Sequence, residues 1–138
     1  MQLSATPRRP CAFTAGMATI LMVEDDATFA EALDRGLRAA RFDVVAVRDS
    51  LSALRLLESD RPVDMLLTDI KLPDGQPHGI ALSLMARRQR PSLPVIFMSG
   101  YPDLIKDAGL DETVFAKPFN LGVLVDAIRQ RLQTSESL

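Results

Sequence analysis

At 138 residues the chain has the length of one domain, and 47% hydrophobic with 25% charged residues is an ordinary globular balance that excludes a disordered or collagen-like chain. Sixteen basic against eighteen acidic residues leave a net charge of −2, too even for a protein that binds nucleic acid through its overall field, and no apolar run approaches the roughly 18 residues of a membrane span. Cys11 is the only cysteine and His78 the only histidine, which excludes an internal disulfide and a Cys/His zinc site and points to a cytoplasmic domain.

Residues 1–16 hold Pro7, Pro10, Arg8 and Arg9, no acid, and neither a helical nor a strand period. They read as a disordered tail or as a start assigned too early, since the apolar stretch of an export signal is missing. The folded domain is expected over residues 17–134, with 135–138 as a short tail. Thr19–Val23 is a continuous apolar run that ends at Glu24-Asp25-Asp26, where Asp26 suits an N-cap. A helix follows over Ala27–Ala40, with Phe29, Ala32, Leu33, Leu37 and Ala40 spaced for one face. Val44–Val47 is the second strand, and Ser50 can cap a helix carrying Leu51, Leu54, Leu56 and Leu57. Val63–Thr68 is the third strand and ends at Asp69. A Pro- and Gly-bearing loop, Leu72–Gly79, leads into a helix of Ile80, Leu82, Leu84 and Met85; His78 reads as a solvated loop residue and Arg87-Arg88-Gln89-Arg90 as a solvated helix end. Pro94–Met98 is the fourth strand, ending at Ser99-Gly100, and Val114–Ala116 is a short fifth strand ending at Lys117-Pro118. Leu121–Leu132 closes the fold with Leu121, Leu124, Val125, Ile128 and Leu132 on one face, and the methionines read as core filler.

Strands that are apolar on both sides belong to a parallel sheet covered by helices, and their alternation with helical segments means repeated βαβ crossovers. The expected fold is α/β, a doubly wound five-stranded parallel sheet of flavodoxin-like order 2-1-3-4-5. In such sheets the working groups gather at the carboxyl ends of the strands. Those ends deliver Glu24, Asp25 and Asp26, then Asp69, then Ser99, then Lys117. With the first and third strands adjacent, their carboxylates converge, and a divalent cation or the Lys117 ammonium must offset the repulsion. An oxygen-only site suits Mg²⁺. A carboxylate cluster, a lysine and a hydroxyl are the parts phosphoryl transfer needs.

The stretches VEDD at 23–26, LLTDIKLPDG at 66–75, MSG at 98–100 and KPF at 117–119 resemble a response-regulator receiver domain of two-component signalling, from about Thr19 to Leu132. The resemblance implies that Asp69 accepts a phosphoryl group from a phosphohistidine on a sensor histidine kinase or a histidine phosphotransfer protein. It implies that Asp25 binds Mg²⁺ directly, Glu24 holds it through water, and Lys71 contributes its backbone carbonyl. By the same likeness Lys117 contacts the phosphoryl group after a cis Lys117–Pro118 bond, and Ser99 swings its hydroxyl onto the phosphoryl oxygens.

Three departures from the family pattern bear on output. Gln76-Pro77-His78 lengthens the loop beside the acceptor. Val114 stands where the family places its switch aromatic, and Phe115 must face the other way. The Ser99–Lys117 interval is short, so Asp103–Ala108 can form only a stub, and Tyr101 of the Phe97–Tyr101 stretch is a candidate substitute for the missing aromatic. Only QTSESL follows Leu132, which implies action through a separate, unidentified protein target or as a phosphate relay or sink. The expected state is a monomer or weak dimer, without nucleic acid or membrane. The competing class is a receiver fold that binds partners without phosphate. A phosphotransferase of the haloacid-dehalogenase type is disfavoured because Asp69-Ile70-Lys71 offers no second carboxylate, and no GxGxxG or P-loop supports a nucleotide site.

Overall fold

The computed structural model describes residues 17–72, 78–100 and 113–137. Residues 1–16, most of the loop at Gln76-Pro77, the expected stub at Asp103–Ala108 and Tyr101 lie outside the described residues. In chain order the elements are β1 (Thr19–Val23), α1 (Ala27–Ala39), β2 (Asp43–Val47), α2 (Ser50–Glu58), β3 (Met65–Asp69), α3 (Gly79–Gln89), β4 (Val95–Ser99), β5 (Thr113–Ala116) and α4 (Leu121–Ser137). All pairings are parallel, in the order β2-β1-β3-β4-β5, as the alternation of apolar runs and helices requires.

Strand alternation sorts the core into two layers. Ile20, Met22, Met65, Leu67, Ile96 and Met98 face α1 and α4, where they meet Leu33, Leu37, Leu124 and Ile128. Leu21, Val23, Leu66, Val95 and Phe97 face α2 and α3, where they meet Ala53, Leu57, Leu82 and Ala86. Every residue of β1, β3 and β4 is buried, whereas β2, at the edge of the sheet, is exposed at Asp43 and Ala46. Val114 packs into the α2–α3 layer and Phe115 into the α1–α4 layer, the parity expected of neighbours on a strand.

Local chemistry sets the boundaries and corrects several expectations. Asp26 caps α1 by accepting from the Phe29 N–H at 3.1 Å. The buried face of α1 is Ala30, Leu33 and Leu37, with Phe29 and Ala40 half-buried; Ala32 points outward, one position off the expected stripe. At its far end the Phe42 N–H reaches Leu37 O at 3.1 Å and the Arg41 N–H reaches Arg38 O at 3.0 Å, a Schellman closure. It requires a left-handed residue, and Arg41 supplies it at φ 75°, turning Phe42 into the core.

Asp49, not Ser50, caps α2: its side chain accepts from the Ser52 N–H at 2.7 Å, and that bond holds its carboxyl below the usual range. The fully buried Ser50 is the first helical residue. His78 is exposed and also caps α3, with Nδ1 accepting from the Ala81 N–H at 3.5 Å. Leu84 and Met85 of α3 are exposed, as are Leu51 and Met17, so among the described methionines only Met22, Met65 and Met98 fill the core. Two arginines at the end of α3 are anchored while Arg88 and Gln89 are exposed: Arg87 donates to Leu93 O, and Arg90 donates to Leu57 O and Ser59 O, tying α3 to the end of α2. The strand β3 starts at Met65 and not at Val63 because Asp64 turns back on β1, its carboxylate accepting from the Thr19 N–H at 2.7 Å. The last helix runs beyond Leu132 to Ser137.

Candidate functional site

The site lies where β1 and β3 end side by side. Glu24 follows β1 directly and is 1% exposed, and Asp69 is the last residue of β3 and 5% exposed. Because Val23 is in register with Thr68, the two residues leave the sheet together. Asp25 stays exposed beside them, and one carboxylate oxygen from each of Glu24, Asp25 and Asp69 lies within 4.8 Å of the others. The backbone fixes this corner. The Glu24 N–H bonds Val47 O at 3.1 Å, and the Ile70 N–H bonds Met98 O at 3.0 Å.

Lys117 reaches the cluster from the far side of the sheet. Its N–H donates to Ser99 O at 2.8 Å, which continues the β4–β5 ladder one residue past the strands, and the Lys117–Pro118 bond is cis as expected. Its Nζ lies 2.7 Å from Oε1 of Glu24 and 2.7 Å from Oδ1 of Asp69. The other Glu24 oxygen accepts from the Asp26 N–H at 3.0 Å, so both oxygens of this buried carboxylate have donors. Ser99 ends β4 and is 7% exposed, next to the strand that carries Asp69. Lys71 stands two residues past Asp69 with its side chain exposed, outside the carboxylate cluster.

One ammonium serves two buried carboxylates, and the imbalance is visible in the acidity of Asp69. Burial, then the hydrogen bond and charge of Glu24, push Asp69 up to about 8 against the lowering pull of Lys117. For Lys117, burial works against the charged form, but the hydrogen bonds and charges of Asp69 and Glu24 outweigh it and the ammonium is held above its usual range. A further cation among these oxygens would lower the Asp69 pKa and supply the carboxylate that a nucleophile requires. The donor set fits a hard divalent ion: it is all oxygen, and Asp25 keeps one side open to water.

Two residues at this site escaped the sequence reading. Gly79 opens α3 with its N–H on Ile70 O at 2.7 Å, and a Cβ there would fall 2.0 Å from the Asp69 carbonyl oxygen. The signal was present, a glycine opening the helix after the loop that follows Asp69, but its reason is a tertiary approach. Phe29 has the spacing of a core stripe, yet its ring centroid lies 4.4 Å from the Lys117 ammonium.

A five-stranded parallel sheet with paired acids after β1, an aspartate ending β3 and a lysine after β5 defines the receiver class, the phosphoacceptor signalling module of two-component systems. The response regulator receiver domain family matches residues 20–129, and the chain belongs to that family. It is similar to the response regulator receiver protein CpdR of Brucella abortus, 34% identical over 122 residues that cover 84% of this chain and 98% of CpdR. Among solved structures it resembles a response regulator receiver protein from Sinorhizobium medicae, at TM-score 0.79 and 30% identity over 86% of this chain and 97% of that one. It also resembles the receiver domain of the hybrid histidine kinase CckA, at TM-score 0.71 and 29% identity over 83% and 99% of the two chains. No described helix is long and apolar enough to cross a membrane.

Proposed function

We propose that this protein is a stand-alone, cytoplasmic response regulator that accepts a phosphoryl group on Asp69, with Mg²⁺, from a histidine kinase or a histidine phosphotransfer protein. The observation that carries this reading is the shared ammonium: Lys117 Nζ stands 2.7 Å from both Glu24 and Asp69 inside a cluster of three carboxylates. The likeness to CpdR over nearly all of that protein's length supports the stand-alone role, and the likeness to the CckA receiver supports a phosphohistidine donor.

In this reading an Asp69 oxygen attacks phosphorus, and the bond from phosphorus to the donor breaks with its electron pair left on the donor. Asp25 and Asp69 would hold Mg²⁺ directly, Glu24 would hold it through water and Lys71 through its backbone carbonyl, and the ion would offset negative charge on the transferring group. Lys117 already lies against the acceptor and needs little movement to reach a phosphoryl oxygen. The Ser99 hydroxyl, at the end of the neighbouring strand, turns toward the same group and carries the change into the chain that follows. The protein thus catalyses only its own phosphorylation and dephosphorylation. It signals through a protein target, as a monomer or weak dimer, without nucleic acid. The domain proper is residues 17–134.

The test is uptake of a phosphoryl group from acetyl phosphate, followed by intact mass, with and without Mg²⁺. Wild type is expected to gain one phosphoryl group only with the ion. Asp25→Ala is expected to lose both calorimetric Mg²⁺ binding, by at least about tenfold in affinity, and rapid uptake. Fast Mg²⁺-dependent uptake by Asp25→Ala would show the metal assignment to be wrong. An unmodified wild type that also binds no Mg²⁺ would favour the phosphate-independent interaction module.

A further inference from the structure

Lys117 is held on three sides, and only two of them are carboxylates. The third is Phe29, on the first turn of α1, whose ring centroid lies 4.4 Å from Nζ. At that distance the negative face of the ring attracts the ammonium, more strongly in a partly desolvated site than in water. The ring is itself fixed. Phe119 stands edge-on to it, with centroids 5.7 Å apart and planes at 86°, and Phe115 stands edge-on to Phe119 at 5.7 Å and 74°. These T-shaped contacts are favourable in their own right, and all three rings pack against the α1–α4 core layer.

We propose that Phe29 is a positioning residue for Lys117: its ring, braced by Phe119, fixes the ammonium where it faces the acceptor carboxylate. The proposal rests on the phosphoacceptor reading of Asp69. A lysine ammonium on a flexible four-carbon stem has many ways to satisfy two nearby carboxylates. A ring beneath it removes most of them, so the charge needs little reorganisation when the transferring phosphoryl group arrives. The same contact places the lysine at the head of an aromatic row, Phe29–Phe119–Phe115, that ends on β5. It lies on the opposite face of the strand from Val114, where the family's switch aromatic would stand. A shift of Lys117 toward a phosphoryl group therefore disturbs this row first.

The test compares wild type with Phe29→Leu, which keeps an apolar side chain but removes the ring, and Phe29→Tyr, which restores it. Before any phosphodonor is added, the Lys117 ε-methylene protons are expected to show an upfield ring-current shift by NMR in wild type and Phe29→Tyr, and to lose it in Phe29→Leu. With acetyl phosphate and Mg²⁺, Phe29→Leu is expected to take up the phosphoryl group roughly three- to tenfold more slowly, the size a cation–π contact carries. Its Mg²⁺ affinity is expected to match wild type, and Phe29→Tyr to recover most of the rate. No ring-current shift in wild type, or equal uptake rates for wild type and Phe29→Leu, would overturn the proposal. A rate that Phe29→Tyr fails to restore would reduce Phe29 to a packing residue and overturn it as well. Wild type that takes up no phosphoryl group would overturn the phosphoacceptor reading and this proposal together, an outcome distinct from failure of the proposal alone.

Discussion

Lys117→Ala is expected to destabilise the metal-free protein by about 3–5 kcal/mol, the usual cost of removing one partner from a buried ion pair. The variant leaves Glu24, 1% exposed, with a single donor at Oε2, and leaves Asp69 facing it without the shared ammonium. Packing loss alone is too small to account for such a value, because the lysine stem is partly solvent-facing. Adding Mg²⁺ is expected to restore part of the loss by supplying positive charge to the same oxygens. Placing Lys117→Ala in a Glu24→Gln background is expected to cost less than placing it in wild type. Urea unfolding with and without Mg²⁺ measures both effects. Phosphoryl uptake by Lys117→Ala is expected to be weak, and the backbone response of the β4–β5 ends to be lost. Equal stability of wild type and Lys117→Ala without metal would contradict the electrostatic account.

Gly79→Ala is expected to impair both folding and acceptance. An added Cβ would lie 2.0 Å from the Asp69 carbonyl oxygen, 2.8 Å from the Ile70 Cα and 2.9 Å from the Asp69 carbonyl carbon. All three are backbone atoms, so no rotamer change relieves the clash, and either α3 or the end of β3 must move. Overpacking of this kind costs about 1–3 kcal/mol, here toward the upper end. The more informative consequence is functional. A displacement of about 1 Å at a nucleophile lowers rates on the order of 100-fold, and Asp69, the proposed acceptor, belongs to the backbone that must move. Gly36→Ala is the useful comparison. Its Cβ would meet only the Leu121 side chain, at Cδ2, and that side chain can rotate away, so it is expected to cost less stability and to leave uptake near wild type. Urea midpoints and initial uptake rates for the two variants separate strain at the acceptor from general overpacking.

Much of this architecture was legible in the chain because each signal is local. Apolar runs buried on both faces gave the three inner strands, and each run stopped at a charged or hydroxyl residue at the carboxyl end of the sheet. Strand parity alone puts Val114 and Phe115 on opposite faces. Convergence of Glu24 with Asp69 followed from strand order, since β1 and β3 are neighbours although 45 residues separate the two carboxylates.

The misreadings have a common origin in contacts between distant elements. Phe29 obeys a helical period, but nothing in that period reveals a lysine 88 residues further on. Gly79 could be read as a helix start, and only the path of β3 shows which carbonyl it must clear. Asp49 and Ser50 are both competent caps, and the choice between them depends on Ser50 being buried in the fold. Arg90 reads as part of a solvated helix end, yet it bonds carbonyls that the end of α2 leaves unsatisfied.

Whether Asp69 accepts the phosphoryl group is read from the intact mass of wild type and Asp69→Asn after incubation with acetyl phosphate and Mg²⁺. The account predicts a gain of one phosphoryl group on wild type, sensitive to base as an acyl phosphate is, and no gain on Asp69→Asn. Equal gain on the folded Asp69→Asn protein would contradict it.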